Sequence, residues 1–102
     1  KIQDAELDLT HKKAQLLANA KMAINAWKTS NEQLNIYTRT VENTEILFQG
    51  EQRKFEIGES SLFLVNARET SLINTQIEYI KMIAKNQKSL INIDFQLGVL
   101  GD

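Results

Sequence analysis

The chain has 102 residues, room for one domain at most, with no proline, four glycines and a charged fraction of 25%. Twelve basic against thirteen acidic residues give a net charge of −1 with the signs interspersed, which lacks the clustered basic face that nucleic acid requires. The absence of cysteine excludes a disulfide framework and a thiolate metal site, and no apolar run approaches the ~18–20 residues that span a bilayer, so no direct membrane insertion is expected.

The chain begins at Lys1 inside a helical pattern, with no charged-then-apolar leader, and reads as an excised piece of a longer protein. The first arm is expected over residues 3–57. Its strongest signal is a row at seven-residue steps, Trp27, Leu34, Val41, Phe48 and Phe55, extended backward by Ala20. Ala23, Ser30, Tyr37 and Thr44 form a companion row of mostly small or polar residues. A sustained heptad repeat signals helices that wind around each other with a left-handed supercoil. The large-against-small asymmetry fits close lateral packing better than a leucine zipper. Trp27 sits on this row, which favours core packing over an interfacial belt at a membrane. Gly50 falls mid-helix at a cost of ~1 kcal/mol, because the row Phe48–Phe55 continues in register across it.

The turn is expected at residues 58–60, inside the decad Arg53–Leu62. Gly58 is the one glycine between the two helical patterns, and glycine tolerates the positive φ with which a chain leaves a helix. Ser60 or Ser61 can cap the next helix by accepting from one of its free N–H groups. The second arm is expected over 61–97, with Ile73, Ile77, Ile80, Ala84 and Ile91 on one face and Leu62, Val65, Leu72, Tyr79, Ile83 and Leu90 on the neighbouring row. Two adjacent rows make a stripe wide enough to touch more than one helix. Asn66, Gln76 and Gln87 interrupt it as polar residues do in seams that hold register. The helix should stop near Gly98, leaving Phe95, Leu97, Val99 and Leu100 as a landing onto something outside the chain.

At 1.5 Å per residue the arms would extend roughly 80 Å and 55 Å. That mismatch predicts that Leu7, Leu9, Leu16 and Leu17 lack a partner from the same chain. Two lone helices bury little area per residue, so self-association or fraying of the N-terminal end is expected.

The spacing Asp8-x-x-His11 is the i, i+3 carboxylate–histidine step of di-metal helical bundles, but such a site needs two of these motifs and further carboxylates. His11 is the only histidine, so neither a metal site nor a nucleophile–base pair is assembled. No glycine-rich phosphate loop is present. No catalytic residue, metal or cofactor is expected.

The series Phe55, Gly58, Ser61, Leu62, Val65, Ala67 and Arg68 resembles the hairpin-tip signature of TolC-type outer-membrane efflux proteins. The run that ends Phe95-Gln96-Leu97-Gly98 is similar to that family's return helix and its stop, and the first arm to its long descending helix, so the resemblance spans essentially the whole chain. It implies an all-α, long antiparallel helical hairpin, a two-helix coiled coil forming part of an α-barrel tunnel. It also implies a parent protein that is a trimer, with an outer-membrane β-barrel above a periplasmic tunnel, which receives substrates through a periplasmic adaptor (membrane fusion) protein. The location implied is the periplasmic portion of a Gram-negative outer-membrane protein. By position, Phe55 matches the aromatic before the tip glycine, and Ile57-Gly58-Glu59 the segment that meets adaptor hairpins. Ser60 stands where some members place an arginine that latches the entrance between protomers, so that latch is not carried over; Arg53 and Lys54 are its candidate substitutes.

The partner-binding tip is therefore expected at Phe55, Ile57, Gly58, Glu59, Ser60, Ser61 and Leu62. Each has a plainer reading beside the functional one. Phe55 can be the last apolar knob of its row, Gly58 a turn residue alone, Glu59 a solvated carboxylate, and the serines caps. The rival to an efflux hairpin is a coiled-coil module that oligomerises a scaffold and is indifferent to the tip sequence; a weaker third is a helical layer of an enzyme whose site lies elsewhere.

Overall fold

The computed structural model describes residues 2–101, and among them the secondary structure is two α-helices, α1 (Ile2–Glu56) and α2 (Leu62–Gly101). With no proline to remove an N–H donor, both helices run uninterrupted, and the chain is an all-α antiparallel helical hairpin. The threonines of α1 fit because their hydroxyls bond within the helix. Thr38 Oγ1 donates to Leu34 O and Thr40 Oγ1 to Ile36 O, each at 2.9 Å, and Thr44 Oγ1 donates to Thr40 O.

The pair divides into two compact units. The first contains the turn and residues 32–84. Its buried side chains are Thr44 and Glu51 of α1 against Val65 and Leu72 of α2, with Tyr37, Val41, Phe48, Thr75 and Tyr79 half-buried around them. The hydroxyls of Thr75 and Thr44 meet across the seam at 3.4 Å, and Thr75 Oγ1 also donates to Leu72 O at 2.9 Å. The second unit comprises the residues up to Asn31 and those from Lys85. Here Ala20, Ala23 and Ser30 are buried. Ser30, 1% exposed, donates its hydroxyl to Trp27 O at 3.0 Å and accepts from Asn86 Nδ2 at 3.1 Å.

The row facing α2 is thus the small and polar one, Ala23, Ser30, Tyr37 and Thr44, which continues to Glu51. Trp27, Leu34, Val41 and Phe48 are half-buried flanks and Phe55 is exposed, which corrects the expectation that the large row forms the core. Small side chains let two helix axes approach closely, and large ones at those positions would hold them apart. The polar residues that fix register are likewise Ser30, Thr44, Thr75 and Asn86; Asn66, Gln76 and Gln87 are exposed. On α2, Val65, Leu72 and Tyr79 face the seam, while Ile73, Ile77, Ile80 and Ile91 stay exposed.

The end of α2 also differs from expectation. It runs through Gly98 to Gly101, and positive φ occurs at Gly58 alone among the described residues. One helical glycine costs only ~1 kcal/mol, and beyond it Val99 and Leu100 line an apolar recess with Leu9, Leu16 and Leu17. Leu16 is half-buried there, while Leu7, Leu9 and Leu17 remain exposed.

A methyl group at Gly50 would meet nothing within 4 Å. Gly50→Ala should therefore stabilise the chain by about 0.5–1 kcal/mol, read as a higher denaturation midpoint at fixed protein concentration. Ser30→Ala should destabilise it by about 1 kcal/mol by leaving the Asn86 amide without its acceptor, and Asn86→Ala on that background should cost less than it does alone.

Candidate functional site

The turn is built from two self-contained caps. At the end of α1 the Gly58 N–H donates to Phe55 O at 3.1 Å and the Glu59 N–H to Lys54 O at 2.7 Å. This reciprocal pair satisfies carbonyls that the helix leaves open, and it requires a left-handed residue just past the helix. Gly58 supplies it with φ +78°. Arg53 and Lys54 in the last turn of α1 place positive charge at the negative end of the helix dipole.

At the start of α2, Ser61 is the N-cap. Its Oγ accepts from the Leu64 N–H at 3.2 Å and its carbonyl from the Val65 N–H at 3.1 Å. Ser60 does not cap. It turns back and donates Oγ–H to Glu51 Oε2 at 2.7 Å, while Arg68 Nε reaches Glu51 Oε1 at 3.4 Å. The two serines, equivalent candidates by spacing, thus divide the work. Ser61 is adjacent to the first helical residue, and Ser60 lies at the bend where its hydroxyl reaches α1.

These caps leave the apolar tip side chains outside. Phe55 is 45% exposed, Ile57 69%, Leu62 59% and Phe63 78%. Phe55 is therefore not the last packed knob of its row. Gly58 and Glu59 are exposed as well, and a Cβ at Gly58 would meet nothing within 4 Å. The turn brings the seven expected tip residues together on one short segment.

Three residues join them that are not among the expected partner-binding residues, Arg68 having entered only through the tip signature. Phe63 belongs to neither apolar row of α2, and that misfit was its signal. Glu51 sits seven residues after Thr44 on the buried row, where a carboxylate is out of place unless something binds it. Arg68 supplies a cation to it.

The chain matches the family model described as outer membrane efflux protein over residues 1–99. No curated protein and no solved structure matches it.

The conformation at Gly58 sets a stability order. Gly58→Ala should destabilise the chain by about 1–2 kcal/mol through the left-handed conformation alone, and Gly58→Asn by less, since asparagine tolerates that region. Ser61→Ala should cost about 1 kcal/mol as a lost N-cap. Chemical denaturation at fixed protein concentration checks all three.

Proposed function

We propose that this chain, which belongs to the outer membrane efflux protein family, is a periplasmic hairpin of a trimeric outer-membrane efflux channel and docks a periplasmic adaptor (membrane fusion) protein with the tip at Phe55–Phe63. The observation that carries this reading is the cluster of Phe55, Ile57, Leu62 and Phe63, exposed on a turn whose backbone hydrogen bonds are already closed. A turn that served only to reverse the chain would need Gly58 and Ser61, not four large apolar side chains held out in water. Exposed apolar surface of this kind marks a contact site, and a capped turn presents it with little ordering cost on binding.

The helices support the tunnel half of the proposal. Ile73, Ile77, Ile80 and Ile91 on α2, with Met22, Ile36 and Leu47 on α1, remain exposed, as lateral faces would before neighbouring hairpins cover them. Each helix would then touch its hairpin mate through a small polar seam and the next hairpin through larger apolar residues. Nothing in this role requires chemistry, and the family is one of efflux channels rather than enzymes.

The test uses the full-length protein, so that trimer formation and export can be read separately. Ile57→Ser with Phe63→Ser should weaken adaptor binding at least about tenfold and impair export, with trimers intact. Gly58→Asn keeps the left-handed turn and adds a side chain; impaired binding in that variant would mean that the adaptor backbone approaches Gly58 closely. Unchanged export and binding in the double variant would overturn the docking role and leave the scaffold reading.

A further inference from the structure

The two caps of the turn are local. The bonds made by Gly58 and Glu59 close α1 on itself, and those to Ser61 close α2 on itself. Neither fixes how the start of α2 stands against the end of α1. The Glu51 carboxylate crosses that gap with both oxygens: Oε2 accepts from Ser60 in the bend and Oε1 from Arg68, two turns into α2.

Its position makes this costly to leave unsatisfied. Glu51 is 8% exposed on the buried row of α1, and a carboxylate withdrawn from water is tolerated only when hydrogen-bonded and paired. Bonds to an ionised acceptor are also stronger than neutral ones. The groups that face it are Lys54 from α1, Ser60 from the turn and Arg68 from α2.

We propose that Glu51 is the positioning residue of the tip: through Ser60 and Arg68 it fixes the angle at which the turn and the first turns of α2 leave α1, and with it the placement of Ile57, Leu62 and Phe63. This rests on the docking role only in that what is positioned is the docking surface; the tie itself belongs to the free chain.

The charge on Glu51 gives the tie a pH signature. The Ser60 hydrogen bond, followed by Arg68 and Lys54, holds its pKa below the ordinary glutamate value of 4.5, against burial, which acts to raise it. A carboxyl whose folded pKa is depressed contributes stability that is complete above the ordinary value and is lost as pH falls through the lowered one. The tie is therefore fully engaged at neutral pH and released only in acid.

Amide hydrogen exchange on this chain without any adaptor tests it, with protection factors measured from about pH 2.5 to 7. Glu51→Gln keeps the shape and removes the charge. It should lower protection of the Glu59, Leu64 and Val65 amides roughly three- to tenfold at pH 7, while amides in the middle of α2 keep theirs. The native chain should fall to the level of the variant at the acid end. Ser60→Ala should lower tip protection, and Ser60→Thr, which keeps the hydroxyl, should restore it. Native protection in Glu51→Gln at pH 7, a loss spread evenly over both helices, or a deficit that persists unchanged into acid would each overturn the proposal. Because no adaptor is present, failure of docking leaves this result untouched, and the converse also holds.

Discussion

Everything in this hairpin follows from a seam that is small and polar where helix pairs are usually large and apolar. Ser30, Thr44 and Glu51 lie at spacings of fourteen and seven along one face of α1, each buried and each hydrogen-bonded. A buried hydroxyl or carboxylate without a partner costs more than a satisfied one contributes. The seam therefore accepts few registers: Ser30 must find Asn86, Thr44 must find Thr75, and Glu51 must find Ser60 and Arg68. Specificity comes from these pairings, and close approach of the helices from the small volume of the side chains that make them. The larger aliphatic residues are displaced to the flanks and outer faces, where they are available to other molecules.

The tip follows the same logic at smaller scale. Backbone groups are satisfied by Gly58 and Ser61, the bend is tied to α1 by Ser60, and the large apolar residues are left outward. Inside the hairpin two hydroxyls and a carboxylate are buried beside Ala20, Ala23, Val65 and Leu72, while most of the large apolar side chains are left exposed. The largest exposed apolar side chains therefore lie on the outer faces of the hairpin and not in its seam.

Much of this was legible in the sequence. The heptad step, the absence of proline and the position of Gly58 were sufficient for two helices and one turn, and Gly50 was placed correctly inside α1 by the continuity of its row. The tip signature from Phe55 to Arg68 pointed to the right family. The seam is less legible: large apolar residues at heptad spacing favour a core reading, yet Ala23, Ser30 and Thr44 are the buried positions facing α2. Size and hydropathy cannot decide which of two parallel rows faces the partner; that depends on how close the helices come. Glu51 was missed for a related reason, since its burial makes sense only once Ser60 folds back and Arg68 arrives from the other strand of the hairpin. The end of α2 lies beyond Gly98, because a single helical glycine costs too little to stop a helix by itself.

The cross-seam bonds also differ in how much chain each must close. Glu51 and Arg68 are 17 residues apart, Thr44 and Thr75 are 31 apart, and Ser30 and Asn86 are 56 apart. Each step nearly doubles the loop, and each doubling adds about 0.6 kcal/mol of closure entropy when the bond forms alone. Formed in order from the turn outward, every later bond closes only the short segment beyond the one before it. The hairpin is thereby suited to zip from its tip toward its ends, so the segment that carries the exposed Phe55, Ile57, Leu62 and Phe63 is also the one from which pairing starts most cheaply.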